Sequence, residues 1–257
     1  MTHPAPTGSA EQFTSEIDKF MKEIREGWEK AVNAFNDCVE KIKDKWWLIA
    51  GGLAGAGLAW LINSKLNELG EGMKRIAEII RTALERHTPV VSLIIASFRW
   101  TTDVKANVSN LSSRASNPAS ENLANWTGPA ASRYKEKVAE QKAAIDETTA
   151  RAEFISGWLF KAAKSNVAFA KKLAEIVTAL VGKVVDAATE AGTVIGLAVV
   201  ANTLGDAAGK ITESALNVLL QIGEDLINAL GEVRDLWGVV MDNTKMPNGQ
   251  WPQAVKG

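Results

Sequence analysis

The chain has 257 residues, 46% of them hydrophobic and 23% charged, with a net charge of −1. This is enough apolar material for a real core, and it excludes a disordered polyelectrolyte. The near-zero charge argues against a nucleic-acid-binding surface, which needs excess Lys and Arg, and it leaves little self-repulsion to oppose assembly.

Residues 1–8 read as a loose tail. The first dozen residues lack a basic stretch followed by an apolar one, so no ordinary secretory signal peptide is expected. Ser9 with Gln12 three residues on is a capping-box start. The helix it opens carries Phe13, Ile17, Phe20, Met21, Ile24, Trp28, Val32, Phe35, Val39 and Ile42 at steps of three and four, with Glu and Lys opposite. That stripe predicts a core-facing amphipathic helix.

Residues 46–62 contain no charged side chain. Trp46, Trp47 and Trp60 stand near the two ends, where membrane segments place their aromatic belts. As a helix the run covers roughly 25 Å, slightly short of a bilayer core. Gly51 and Gly55 form a GxxxG pair, which Gly52 and Gly57 enrich with further small positions. Such spacing lets two helix backbones approach closely. The segment is therefore expected to contact a membrane or a second copy of the chain. The alternative is a buried helix at the centre of a bundle.

The amphipathic pattern resumes through Leu66, Leu69, Met73, Ile76, Ile79, Ile80 and Leu84. Thr88-Pro89 reads as the next start, with Thr88 as N-cap and Pro89 at the first helical position. Residues 90–111 are helical in pattern, and 112–120, with Asn117-Pro118, form a polar break. Gly128-Pro129 restarts a helix that is expected to run over 130–188 and to break near Gly157 or Gly182. The apolar stretch 191–204 is too short and too closely flanked by Glu190 and Asp206 for a span, and it reads as a buried turn-forming segment. A last helix is expected over 211–241, followed by an irregular tail. Period-two alternation is missing, so the class is all-α: long helical hairpins or a bundle. No short-period repeat is read.

Chemistry is sparse. One cysteine, Cys38, allows no internal disulfide. His3 lies in the tail, and His87 sits at a helix end where an imidazolium suits the carbonyl dipole. No Cys/His spacing offers a metal site, and no GxSxG, P-loop or HExxH motif is present. The glycines of 51–57 lack both the preceding strand and the Lys-Ser/Thr of a phosphate loop. The carboxylates read as solvated helix faces, as around Glu136, Lys137 and Glu140. No catalytic residue, cofactor or metal is expected, and the chain reads as a non-enzyme.

One string is more specific. Trp126-Thr127-Gly128-Pro129-Ala130-Ala131-Ser132-Arg133-Tyr134 lies between two helical patterns. Trp-x-Gly at such a bend, followed by small residues and an aromatic, resembles the WXG100 (ESAT-6-like) superfamily in a longer, PPE-like or EspB-like form. The likeness covers about 89–185. It implies a helical hairpin turning at Trp126–Gly128, with Tyr134 opening the second arm, and an association with type VII secretion. The export tag of that family, Tyr-x-x-x-Asp/Glu, is absent, because Tyr134 is the only tyrosine and Val138 stands four residues on. Export would then need a WXG100-like partner that supplies the tag, or the chain is not exported by this route.

The expected organisation is an N-terminal hairpin over 1–88, a WXG100-like hairpin over 89–188 and a C-terminal part over 189–257. The expected function is a non-enzymatic, self-assembling protein, secreted or held at the cell envelope, acting at or in a membrane as an oligomer or pore-like assembly. The alternative is a soluble helical scaffold. The expected partners are further copies of the chain and a lipid bilayer, with no nucleic acid.

Overall fold

The computed structural model describes residues 9–47, 55–116, 125–193 and 196–253, and among these it is all-helical, with no strand. The elements are α1 (Ala10–Asp44), α2 (Gly55–Glu85), α3 (His87–Arg99), a π-helical stretch (Trp100–Lys105), α4 (Ala106–Ser116), α5 (Pro129–Ala191), α6 (Leu197–Met241) and a 3-10 turn (Pro247–Gly249). The Ser9 start holds: the Gln12 N–H donates to Ser9 Oγ at 3.2 Å. Helix α5 runs through both Gly157 and Gly182 without a break. Helix α6 begins at Leu197, well before 211, so most of the 191–204 stretch is helix and not turn.

The chain divides into two compact units. One comprises 13–90 and 165–225, the other 1–12, 91–164 and 226–257.

The first unit is a four-helix bundle. Its buried residues recur at steps of three, four or seven, which keep an average period near 3.5. In α1 they are Ile17, Met21, Ile24, Ala31, Cys38 and Ile42. In α2 the same period runs through Ile62, Leu69, Met73, Ile76, Ile80 and Ala83, and in α6 through Leu197, Ala201, Leu204, Ala208, Ile211, Ala215 and Val218. That period is the signature of a coiled-coil seam, in which side chains of one helix seat between those of its neighbour. Many seam positions are alanine, which lets helix axes come close. The approach is tightest at two glycines. A methyl on Gly27 of α1 would stand 2.7 Å from Val177 Cγ1 of α5, and one on Gly72 of α2 would stand 2.8 Å from Ile211 Cγ2 of α6. Real side chains are not found at such distances, so both positions take glycine for packing.

The second unit sets residues 91–116 antiparallel to the first part of α5. Phe98 meets Phe160 edge-on at 5.9 Å, and Lys105 pairs with Glu153 at 3.1 Å. Ser112 Oγ donates to Asp146 Oδ1 at 3.0 Å. A buried hydroxyl group of contacts lies at the π-helical stretch. Ser156 Oγ donates to the Ser97 carbonyl at 2.6 Å and lies 2.8 Å from Thr101 Oγ1, while Ser97 Oγ donates to the Ile94 carbonyl at 2.7 Å. The last turn of α6 is fastened to α5 by Arg151, whose guanidinium donates to the carbonyls of Val240 and Asp242.

Candidate functional site: a tryptophan-bearing end of the four-helix unit

Contacts along the four-helix unit fix which residues share a level. Helices α1 and α2 run antiparallel: the Phe35 ring lies 3.8 Å from where a Gly70 methyl would be, and Asp18 Oδ1 lies 2.7 Å from His87 Nε2. Trp46 and Trp47 follow directly on the end of α1 and Trp60 lies in the second turn of α2, so the three fall at the same end of the unit. Helices α2 and α6 run parallel, with Gly72 at Ile211 and Lys65 at Gly205. That register puts Trp60 level with Val199.

One end of the bundle thus carries large apolar side chains that stay partly or largely exposed. Trp47 and Trp60 are each 71% exposed and Trp46 is 39% exposed. Burial is the usual state for rings of this size, so three exposed indoles at one end of a bundle are unusual. Gly57 lies on the same end, in open space. Gly55 opens α2. Gly51, Gly52 and the rest of 48–54 lie outside the described residues, as does the polar break around Asn117-Pro118. Among the described residues no helix is long and apolar enough to cross a membrane.

The partner helices end beside this site and are locked there by lysines. Lys45 Nζ donates to the Ala191 carbonyl at 2.8 Å, and Lys41 Nζ to the Ala188 carbonyl at 3.3 Å. These carbonyls belong to the last turn of α5, whose acceptors have no helical donor left, and a cation there also opposes the helix dipole. Lys41 bonds the Asp37 carboxylate as well, at 2.7 Å, and Lys65 bonds Glu68 at 2.7 Å. After the α5 end the chain turns tightly. The Gly196 N–H donates to Thr193 Oγ1 at 2.9 Å, and any side chain on Gly196 would strike the Glu190 carbonyl oxygen.

Cys38 lies in the seam just below, fully buried. Burial pushes its thiol up to about 11, with the Asp37 charge adding to the rise, Lys41 opposing it and Glu190 adding a little. The thiolate is the reactive form, so the native thiol is expected to react with an aromatic disulfide reagent at least ~100-fold more slowly than the same thiol in denaturant. Equal rates would show that the seam is open. The sign for stability follows from the same rise. As pH climbs from 9.0 toward about 11, the thiol ionises in the unfolded chain but not in the folded one, so this contribution to stability is lost over that window.

The turn at Trp126 is built differently. Gly128 has φ +98°, a left-handed conformation that favours glycine, and the Ser132 N–H donates to its carbonyl at 3.1 Å as α5 begins. Trp126 and Tyr134 lie against each other, with ring centroids 5.8 Å apart and planes tilted by 48°. Trp126 is 38% exposed and Tyr134 41%. The indole therefore packs along its own helix start and is not sealed into a corner.

His87 stands at the start of α3, where the sequence places a helix end, and its near neighbour is the Asp18 carboxylate. The cleft between α5 and α6 lined by Leu180, Lys183, Lys210, Ile211 and Ser214 has a volume of about 20 Å³, room for about one water. Among the described residues no group of three or more His, Cys, Asp or Glu side chains converges as a metal site.

No family model matches the chain, and no curated protein or solved structure matches it.

Proposed function

We propose that this chain is a non-enzymatic, self-assembling helical protein that works at a membrane through the 46–62 end of its four-helix unit. The observation that carries the reading is the group of exposed indoles, Trp46, Trp47 and Trp60, at one end of the four-helix unit. They flank a run of sequence without a charge. Tryptophan favours the boundary between water and hydrocarbon, because its ring is apolar and its N–H still seeks a partner. The small residues Gly51, Gly52, Gly55 and Gly57 supply the kind of surface on which helices associate in lipid. Release of this end from the bundle would require two packings of similar free energy. The link to type VII secretion, and to a WXG100-like partner that supplies an export tag, rests on the resemblance at Trp126–Tyr134. On this reading the working protein is secreted or held at the cell envelope.

The test is flotation of the detergent-free protein with liposomes, with particle size read before and after mixing. The expected result is flotation with an increase in size, and loss of both in Gly55→Glu. A protein that stays at the bottom of the gradient at unchanged size overturns the reading.

A second reading, a helical scaffold that binds a partner helix, is favoured by the end of α6. Ile227 is 70% exposed, Trp237 58% and Met241 59%. At 3.6 residues per turn they fall within about 80° of one another on the helix. In that case size would grow on mixing with the partner and stay unchanged with lipid.

A further inference from the structure

Resting on the membrane reading, we propose that the indole-bearing end binds the neutral, zwitterionic headgroup layer of a bilayer, held by ring insertion and not by charge. Two observations carry this. The first concerns cations. Recognition of anionic lipid uses clusters of four to eight free Lys or Arg, each worth about 1 kcal/mol near the surface. At this end Lys41 and Lys65 are paired with Asp37 and Glu68. Lys41 and Lys45 also cap the carbonyls of Ala188 and Ala191. Moving them to a lipid phosphate would uncap α5. Lys43 remains, next in sequence to Asp44. Apart from Lys43, the cations at this end are already paired or capping.

The second observation is area. A whole aromatic side chain buries about 150–250 Å². At 71%, 71% and 39% exposure, the three described rings offer roughly 300–450 Å² in all. A stable protein–protein interface uses about 800 Å² per partner. Three rings are too little for a second copy seated on this end alone. They are well suited to a lipid layer, where each ring inserts independently.

The experiment uses the full chain with vesicles of phosphatidylcholine alone and of phosphatidylcholine mixed with phosphatidylglycerol, each at low and high salt. Binding is read by co-sedimentation and by quenching of tryptophan emission with brominated lipid. The expected result is equal binding to both vesicles, insensitive to salt. In the double variant Trp47→Ser/Trp60→Ser, whose replaced rings are largely exposed, binding weakens by roughly 100-fold, about tenfold per indole. Helix content and melting temperature should not change in that variant. Binding only to the anionic vesicles, or binding that falls with salt, overturns the neutral-headgroup inference and leaves the membrane reading standing. Binding to neither sinks both. Undiminished binding by the double variant shows that another surface holds the lipid. A chain that is dimeric without lipid and monomeric in the double variant identifies a second copy as the occupant.

Discussion

Gly72→Leu is expected to destabilise the chain by about 2 kcal/mol and to lower its melting temperature by about 4–8 °C. The new Cβ alone would stand 2.8 Å from Ile211 Cγ2 and 3.4 Å from Ile211 Cβ. Ile211 is 2% exposed, in the seam of α6, and the cleft beside it has room for only about one water. Overpacking of this kind costs about 1–3 kcal/mol and more where the neighbour is fixed, and the remaining carbons of leucine enlarge the overlap. Replacing a helical glycine returns about 1 kcal/mol of backbone entropy, so the clash wins. Gly182→Ala separates the two effects. It lies within α5 with nothing near its missing Cβ. That variant is expected to gain about 1 kcal/mol. Thermal melts of both variants check the pair, and a Gly72→Leu chain as stable as its parent would show that α2 and α6 do not approach as described.

Ser156→Ala is expected to cost about 1–3 kcal/mol, a large effect for the loss of one oxygen. Ser156 is 2% exposed and Ser97 is fully buried. The Ser156 hydroxyl is hydrogen-bonded to the Ser97 carbonyl, at 2.6 Å, and close to Thr101 Oγ1, at 2.8 Å. Without it both oxygens face an apolar methyl, and a buried acceptor without its donor carries the desolvation cost it had escaped. The site joins α5 to the place where the backbone widens into its π-helical stretch, a local departure that needs outside support. Thr101→Val in the Ser156→Ala background should cost less than Thr101→Val alone, because the two hydroxyls act on each other. Ser113→Ala, on the exposed face of α4, should stay within about 0.5 kcal/mol. Urea titrations of the four variants read this directly, and a Ser156→Ala loss no larger than that of Ser113→Ala would mean that the hydroxyl group of contacts is not formed.

Much of the helical class was legible because it rests on local chemistry. The three-and-four spacing from Ile17 to Ile42, the Ser9–Gln12 start and the Gly128-Pro129 restart each specify backbone within a few residues, and all three match the structure. The 3.5 period of the seam was also present in the sequence. It was hidden because alanines such as Ala31, Ala83 and Ala208, together with Cys38, hold positions that a search for large apolar side chains passes over. At the candidate site the sequence marked Trp46, Trp47 and Trp60 as flanking an uncharged run. The capping of α5 by Lys41 and Lys45 was not legible, since it joins residues about 146 positions apart.

By itself, then, the sequence determined where α1 and α5 start, that no strand competes with the helices among the described residues, and which stretch carries no charge. These follow from capping, periodicity and composition, which act over a turn or two. Tertiary structure alone decided the rest. It carried α5 through Gly157 and Gly182 and began α6 at Leu197, because packing along a long seam outweighs the cost of about 1 kcal/mol for each helical glycine. It made Gly27 and Gly72 the glycines of closest approach, since only a neighbouring helix gives a missing side chain its meaning. It also set the three indoles at one end of the unit, because that depends on α1 and α2 packing antiparallel, as seen in Phe35 on Gly70 and in Asp18 on His87, two residues past the end of α2.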